Sequence, residues 1–455
     1  MRLISPDSSG SSGSDHPPRP RHHRRRARPT LGSLAGLLLA TLAATLLLAG
    51  CGGGEDPTKA QLRLVNASVE FPLLDLVVDD ERVLRDVAYG QSADYAAVPA
   101  GSPDVEITRA GNATALVTPT PTLTRRRHGT LVAYGAANAL RAVVLEDEEG
   151  DPDRNTARVR VLNAAPDAGA LDIYLTAPSE SLADVGPLHA AAAVGEPSAF
   201  RTIDAQRWRL RVTAAGDADD LRLDIDGVTL DSRQVATLVL TAGSGGVLVQ
   251  ALLLTQQGRI DALTGAQARV RVVAGVTASG SVVANAGGVA LLGGSSAPAV
   301  GNYQRVPAGA TEVRVAVNGA DVVVPARELV AGSDQTLLVW GPSAAATVSW
   351  LADDNRPSSV SSRALLRLVH GVAGLASPLS MTVNFTPRAE NVAAGTASVP
   401  TAIDASDKVA LAVTTPGLTT PLFSATDQTL RAGHVYTLFM IGAAGAPVGI
   451  LKEDR

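Results

Sequence analysis

Cysteine is almost absent from this sequence, which has a single one at position 51. An internal disulfide is therefore excluded, and an exported body of this composition must be stabilised by packing alone. Aromatic residues make up only 3% of the chain, so valine, leucine and alanine must fill its core. Lysine is also rare, and we attribute the preference for arginine to genome composition rather than to function.

Negative charge exceeds positive charge outside the N-terminal region. The chain carries 39 basic and 44 acidic residues, and its first 50 residues contain seven arginines and two aspartates. Removing that segment leaves 32 basic and 42 acidic residues, a net charge of −10. An acidic exported body argues against nucleic acid as a partner and against a position flat on anionic lipid.

The N-terminal region combines a basic patch with a hydrophobic run. Residues 22–28 read HHRRRAR, and residues 31–50 are apolar and small. This order is typical of the n-region and h-region of a signal peptide. A transmembrane anchor of about twenty residues is the alternative interpretation. A twin-arginine signal is disfavoured, because residues 27–29 do not fit that motif.

The hydrophobic run ends in Leu48-Ala49-Gly50-Cys51, which resembles the lipobox of bacterial lipoproteins. The resemblance implies that Leu48, Ala49 and Gly50 are recognised by the signal peptidase. It also implies that Cys51 becomes the first residue of the mature chain and carries covalent diacylglycerol, with no other cofactor expected. Two or three acyl chains give stable membrane anchoring, whereas one is marginal.

The residue after the cysteine is Gly52, not aspartate. By resemblance to Gram-negative lipoproteins, Gly52 favours sorting to the outer membrane, facing either the periplasm or the cell surface. A flexible tether, residues 51–60, then leads into the exported body.

The exported body contains four copies of one unit with a period of about 100 residues, which is typical of tandem domains. The four openings are LRLVNAS (62–68), VRVLNAA (159–165), VRVVAGV (270–276) and LRLVHGV (366–372). The four ends begin at residues 129, 236, 335 and 435 and are pairs of apolar runs around a small loop.

Each unit is predicted to be a β-sandwich. Apolar and polar residues alternate, as in Val313 to Val317, which indicates half-buried antiparallel strands. About seven strands per unit, with frequent turn signals, predict an all-β fold of tandem immunoglobulin-like antiparallel β-sandwich domains after an N-terminal signal peptide. The predicted segments are a signal peptide at 1–50, the tether at 51–60, and repeats at 61–150, 156–258, 266–355 and 363–455. The polar linkers between them are short, so we expect a semi-rigid rod of sandwiches stacked end to end.

These features resemble a bacterial family of domains of unknown function, DUF4397. Its opening motif stands at residues 160–167, followed by Leu171-Asp172-Ile173-Tyr174, and the first unit has Leu74-Asp75-Leu76-Val77. Its Y-x-x-V-P-A-G motif stands at residues 95–101 and 303–309. The second and fourth units lack Pro-Ala-Gly, and the third and fourth lack the Leu-Asp element. The resemblance implies a β-sandwich on an envelope protein, and it implies no reaction.

The sequence contains no catalytic motif that we recognise, neither a Gly-x-Ser-x-Gly elbow nor a His-Glu-x-x-His pair. One acidic run at a predicted junction has calcium-like oxygen ligands. A solvated linker is the favoured interpretation of this run, and the weaker calcium hypothesis would use Asp147, Glu149, Asp151 and Asp153. Apart from this calcium hypothesis, no metal site is predicted.

Three other features have a structural interpretation beside a functional one. His370 replaces the asparagine found at Asn66 and Asn163, so we expect a hydrogen-bonding residue at a strand end rather than a metal ligand. The basic strand 207–211 and the basic loop 125–128 are predicted to solubilise the surface, with binding of an acidic polysaccharide or a lipid headgroup as the alternative.

The sequence therefore favours a monomeric, non-enzymatic, lipid-anchored envelope protein that acts as a structural, adhesion or protein-interaction module. Its expected partners are the membrane, through the anchor, and an envelope protein or polysaccharide, with no nucleic acid. The alternative is a lipoprotein that binds polysaccharide or calcium at a polar cleft between units. An enzyme is the least favoured class.

Overall fold

The computed structural model describes residues 56–136 and 139–455. These residues form 35 β-strands and three short 3-10 turns, and they contain no α-helix. Within the same ranges, no helix has the length and apolar character needed to cross a membrane.

The strands fall into four consecutive groups, each of which builds one sandwich. The first contains β1 (Lys59–Asn66), β2 (Leu73–Val78), β3 (Glu81–Ala88), β4 (Ala96–Pro99), β5 (Val105–Arg109), β6 (Ala115–Val117), β7 (His128–Tyr134) and β8 (Arg141–Glu146). The second contains β9 (Thr156–Ala164), β10 (Leu171–Thr176), β11 (His189–Ala192), β12 (Arg201–Asp204), β13 (Arg207–Ala214), β14 (Asp217–Thr229), β15 (Val235–Ala242), β16 (Val249–Thr255) and β17 (Ile260–Leu263). 3-10 turns occupy Pro166–Ala168 and Leu182–Asp184.

The third and fourth groups follow the same plan. The third contains β18 (Gln267–Val276), β19 (Ser281–Ala286), β20 (Val289–Ser296), β21 (Ala299–Val300), β22 (Gln304–Pro307), β23 (Val313–Val317), β24 (Ala320–Val322), β25 (Asp334–Gly341) and β26 (Thr347–Asp353), with a 3-10 turn at Ser343–Ala345. The fourth contains β27 (Arg363–Ala373), β28 (Leu379–Val383), β29 (Thr386–Val392), β30 (Thr396–Ala397), β31 (Thr401–Asp404), β32 (Ser406–Thr414), β33 (Phe423–Leu430), β34 (Val435–Ala443) and β35 (Ala446–Glu453).

Every sandwich has one sheet built around its first strand and a second sheet built around its second strand. In the first sandwich the two strand orders are β4-β1-β7-β8 and β3-β2-β5-β6. The other three repeat these orders, and the second sandwich adds β17 at the edge beyond β16. The prediction of all-β tandem sandwiches is confirmed. The first sandwich has eight strands and each of the other three has nine, rather than about seven.

One strand pair in each sandwich is parallel. The opening strand pairs with the strand that begins the closing hairpin, as β1 does with β7 from Gln61↔His128 to Asn66↔Ala133. The pairs β9–β15, β18–β25 and β27–β34 have the same geometry. The remaining pairs in the sandwiches are antiparallel, as predicted.

The sheet that holds the parallel pair is buried on both faces. One face packs on the other sheet of its own sandwich, where Leu62, Leu74 and Ile107 form part of one apolar core. The opposite face packs on the neighbouring sandwich, since Val65 and Val132 share a cluster with residues of β9, β15 and β16. Burial on two faces explains why β1 and β7 read as nearly continuous apolar runs.

The same contact joins the third sandwich to the fourth, through a cluster that contains Val273, Leu338 and Phe439. The sandwiches are therefore joined in two pairs by sheet faces, not stacked end to end. The expectation of a rod was wrong, because an apolar residue on the outward phase of a strand packs against a neighbouring sandwich instead of facing solvent.

Candidate functional site

The predicted lipidation site lies outside the described residues. This holds for Cys51, for the expected recognition residues Leu48, Ala49 and Gly50, and for Gly52. Their roles stay predictions from the sequence.

The acidic run at the first junction is not assembled into a metal site. Asp147 is buried and accepts hydrogen bonds from the hydroxyl groups of Tyr95 and Thr130. Glu149 pairs with Arg158 instead. Within residues 56–136 and 139–455, no group of three or more histidine, cysteine or acidic side chains is arranged to hold a metal ion. Asp151 and Asp153 do not join Asp147 in any such group.

Asp147 belongs to a buried cluster that joins the first sandwich to the second. The Arg63 guanidinium donates to the Thr130 hydroxyl at 2.7 Å and lies 4.9 Å from the centre of the Tyr95 ring. Arg63 and Arg160, one from each sandwich, approach the Asp147 carboxylate to 3.9 and 3.8 Å. Strands β1, β7 and β9 place these side chains on the sheet faces that meet.

The third and fourth sandwiches contain the same cluster in a reciprocal form. Arg367 of the fourth donates to Asp353 of the third at 2.6 Å. In return, Arg271 of the third pairs with Asp454 of the fourth. Each of these four side chains is less than 10% exposed, so each charge is withdrawn from water and neutralised by the other sandwich.

The aromatic residue of the Y-x-x-V-P-A-G motif completes this cluster. The Tyr303 hydroxyl donates to Asp353 at 2.6 Å, and its ring lies 4.5 Å from the Arg271 guanidinium. Burial and the neighbouring carboxylates raise the pKa of Tyr303 well above its ordinary value, so it remains a donor. Burial opposes ionisation of Asp353, but Arg367 and Arg271 overcome that effect and hold its pKa below the ordinary value.

The second sandwich departs from this pattern. Gln256 stands at the register position that carries Asp454 in the fourth sandwich, since each lies opposite the first residue of its partner strand. Arg63 therefore donates to the backbone carbonyl groups of Thr255 and Gly258 instead of pairing with a carboxylate there. The first pair of sandwiches thus has one shared carboxylate where the second pair has two.

The two pairs of sandwiches meet at a glycine-rich hairpin, residues 243–246, between β15 and β16. Gly245 donates from its backbone to Gly332 at 2.9 Å and accepts from the Asn355 backbone at 3.1 Å. A Cβ atom on Gly245 would lie 2.5 Å from the backbone nitrogen of Asp334. Glycine is needed at this position because the loop backbone contacts the third sandwich directly.

An open cleft of about 430 Å³ lies beside this junction. Arg356 pairs there with Glu70 of the first sandwich and with Asp354 of the linker. Asp167 also lines the cleft, and burial raises its pKa above the ordinary value. Arg356 therefore crosslinks two parts of the chain that are far apart in sequence, and its charge is balanced within the protein.

The basic strand is largely neutralised by its own sheet. Arg209 pairs with Asp224 at 2.6 Å, and Arg207 pairs with Asp226 at 3.2 Å. Arg211 is buried and donates to Thr176 and to the carbonyl of Glu180. These contacts favour the structural interpretation of the strand over the binding interpretation.

His370 occupies the position that the sequence comparison assigned to it. Its Nδ1 accepts from the Val372 backbone at 3.3 Å, and its Nε2 donates to the Ser377 carbonyl at 3.2 Å. Asn163 does the same with its amide, accepting from Ala165 and donating to Gly169. The expectation of a hydrogen-bonding residue at a strand end is confirmed.

The buried arginine clusters were missed at the sequence level, although a signal was present. Every opening motif carries one arginine, at 63, 160, 271 and 367, and every closing hairpin carries a threonine that accepts from it, at 130, 237, 336 and 437. Alternation along a strand does not show whether the face opposite the core is covered, so these arginines were not predicted to be buried. Their recurrence in all four units, together with the aspartates at 147, 353 and 454, was the signal for a buried pair.

Comparison with known families and structures gives one clear result. The family model described as "Domain of unknown function (DUF4397)" matches residues 60–174 and 268–375. These segments cover the first and third sandwiches and run into the opening strands of the second and fourth. No curated protein matches the chain.

Two solved structures show weak similarity. One is the product complex of SpuA, a multi-modular glycogen-degrading pneumococcal virulence factor, with 11% identity, 62% of this chain covered and a TM-score of 0.15. The other is the Bacillus anthracis TIE protein, with 9% identity, 81% of this chain covered and a TM-score of 0.13. The alignments span 38% and 65% of those two chains, less than two thirds of each. At such TM-scores neither similarity bears on function.

Proposed function

Because this chain is a tandem-domain member of the DUF4397 family, we propose that it is a non-enzymatic, lipid-anchored protein of the bacterial cell envelope. Its four sandwiches would form a structural or interaction body for an envelope protein or polysaccharide. The observation that carries the proposal is the sequence Leu48-Ala49-Gly50-Cys51 at the end of an apolar run. Covalent lipid on Cys51 would hold the body at the membrane.

The positions and partners of the charged side chains support a structural role. The arginines of the opening motifs are buried and join sandwiches to one another. The arginines of the basic strand are held by aspartates of the same sheet. Side chains held in this way stabilise the assembly of the sandwiches, so the body would present a fixed surface rather than a moving one.

Membrane fractionation of Cys51→Ser tests the anchor. We expect the wild-type chain in the outer-membrane fraction and the variant in the soluble fraction, with the unprocessed precursor accumulating under globomycin. A variant that stays in the membrane would contradict the lipid anchor and favour a transmembrane one.

Gly52→Asp is the matched test of sorting, and we expect it to shift the protein to the inner membrane. Protease shaving of intact cells then separates the cell surface from the periplasm.

A second candidate function is binding of an envelope polysaccharide. It is favoured by an open cleft of about 500 Å³ in the third sandwich, which has an aromatic wall. Clefts of this volume that combine apolar walls with a few polar groups are typical ligand sites. Calcium is a weaker alternative, because Asp147 and Glu149 already have partners within the protein. Melting temperatures with calcium and with a chelator would differ if calcium were a ligand.

A further inference from the structure

The third sandwich differs from the other three at one position of its closing hairpin. In each sandwich a residue of the second strand of this hairpin lies opposite the first leucine of the hairpin's first strand. That residue is Val144, Leu253 and Leu451 in the first, second and fourth sandwiches, and it is Trp350 in the third. An aliphatic side chain stands at this position in the other three sandwiches, so the shared fold does not require the larger indole.

Trp350 lines the cleft of about 500 Å³ on the outside of this sandwich. The ring is half-buried against the core, and its N–H donates to the Pro325 carbonyl at 2.9 Å. That hydrogen bond fixes the orientation of the indole before any ligand arrives, which lowers the entropy lost on binding.

The cleft has an apolar base and a charged rim. Val313 and Val324 line it beside the indole. Arg327 and Glu328 are exposed on the segment that leads to β25, and within residues 56–136 and 139–455 neither side chain forms an ion pair. They are therefore free to donate to and accept from a ligand, in contrast to the arginines that join the sandwiches.

The repeated motif keeps this segment away from the sheet edge. Gly309 of V-P-A-G has a φ of +92°, a conformation that favours glycine, and it pairs with Leu329 in an isolated bridge. The first sandwich has the same bridge between Gly101 and Leu123. In the second and fourth sandwiches, which lack this motif, the corresponding segment belongs to the long strands β14 and β33.

We propose that the cleft beside Trp350 binds neutral hexose units of a polysaccharide. The C–H face of a hexose ring packs well against the negative face of an indole. Hydroxyl groups of the sugar can accept from the guanidinium and donate to the carboxylate at the rim. Arg327 and Glu328 balance each other's charge, and Glu312, which also lines the cleft, is paired with Arg314 at 2.8 Å. The rim therefore has no excess charge of either sign, which favours a neutral polymer over an acidic one. This inference rests on the second candidate function and is independent of the lipid anchor.

Affinity electrophoresis of the full-length, detergent-solubilised protein tests it. The gels contain a soluble α-linked glucan, a soluble β-linked glucan or alginate as the acidic comparison. We expect at least one neutral glucan to retard the wild-type protein, and Trp350→Val to bind that glucan about tenfold more weakly. Valine stands at the corresponding position of the first sandwich, so this variant should fold. Trp208→Val is the control for loss of a tryptophan elsewhere, and it should retain binding.

Two further variants keep the test independent of folding. Arg327→Gln and Glu328→Gln change exposed side chains that have no core contact, and each should weaken retardation without changing the melting temperature. The proposal is overturned if no neutral glucan retards the wild-type protein, if alginate alone does so, or if Trp350→Val binds as the wild type does. Fractionation of Cys51→Ser gives the same result in each of these cases, so failure of the cleft is distinguishable from failure of the anchor.

Discussion

The charged residues of this protein fall into two groups that the sequence does not separate. Arg367 and Arg363 lie on the same strand, β27, four residues apart. Arg367 is 3% exposed and pairs with Asp353 of the third sandwich, whereas the side chain of Arg363 is 44% exposed and pairs with Asp404. The first arginine joins two sandwiches, and the second lies at the surface of one.

Removal of Arg367 should therefore be far more costly than removal of Arg363. Arg367→Ala leaves Asp353 buried with one of its two arginine partners gone, and we expect it to lower the free energy of unfolding by about 3–5 kcal/mol. Arg363→Ala removes a solvent-exposed pair and should cost less than about 1 kcal/mol. Urea denaturation of both variants measures the difference. Equal effects would mean that the buried pair does not hold the third and fourth sandwiches together.

His370 gives the body a dependence on pH. Burial lowers the pKa of His370 below its ordinary value of 6.5. The unfolded chain therefore takes up a proton at pH values where the folded chain does not, and stability falls as the pH drops below that ordinary value. The stabilising contribution is complete above it.

The variant His370→Asn isolates this contribution, because asparagine makes the same hydrogen bonds at Asn66 and Asn163. Between pH 7.5 and pH 5, the wild type should lose more thermal stability than the variant. Melting followed by circular dichroism at the two pH values measures this difference. If the two proteins lost equal amounts, the pH dependence would have to come from other groups.

At the scale of the strand and the hairpin, glycines in corresponding closing hairpins have different roles. The closing hairpin of the second sandwich contains Gly245, which contacts the backbone of the third sandwich. The matching hairpin of the fourth sandwich contains Gly445, where an added Cβ would meet nothing within 4 Å. Gly245 is therefore required for the contact with the third sandwich, whereas Gly445 is only a turn residue.

Gly245→Val should weaken the contact between the two pairs of sandwiches, since its Cβ would overlap the backbone of Asp334. We expect a loss of about 1–3 kcal/mol, as in other overpacked sites, and faster cleavage by proteinase K in the linker 354–362. Gly445→Val is the matched control and should leave both properties unchanged. Unchanged cleavage in Gly245→Val would show that this hairpin does not hold the two pairs together.

The sequence predicted where the strands lie better than it predicted what packs against each of their faces. Alternation from Val313 to Val317 identified a half-buried strand, which the structure has as β23. It did not predict the burial of Arg63 and Arg271, because a period of two distinguishes two faces of a strand but not what covers the second face. A second covered face shows in sequence as a nearly continuous apolar run, which β1 and β7 have.

The remaining gaps have the same physical origin. The partner of Arg271 is Asp454, 183 residues away, and no local pattern links two such positions. The cleft beside Trp350 depends on a bridge between Gly309 and Leu329 that forms only in the folded sandwich. The sequence placed Arg271 and Gly309 in repeated motifs, but the contacts of these two residues depend on how the sandwiches fold and pack.

At the scale of the whole body, the unit of assembly is a pair of sandwiches. Each sandwich uses one sheet face for its own core and the opposite face of that sheet for its neighbour. Those shared clusters contain Val65, Leu162 and Val239 in the first pair and Val273, Val369 and Phe439 in the second. The contact between the pairs is of a different kind, with backbone hydrogen bonds at Gly245 and the ion pair of Arg356 with Glu70.

Dissection of the body should therefore depend on where it is cut. Fragments 56–265 and 266–455 each contain one complete pair, and we expect both to be soluble and to melt cooperatively. Fragments 56–155 and 156–265 separate the first pair and expose the apolar face that contains Val65 and Leu162, so we expect them to aggregate or to reassociate when mixed. Size-exclusion chromatography and calorimetry of the four fragments measure this. Soluble, monomeric single sandwiches would show that the shared clusters are dispensable, and the body would then be four independent domains.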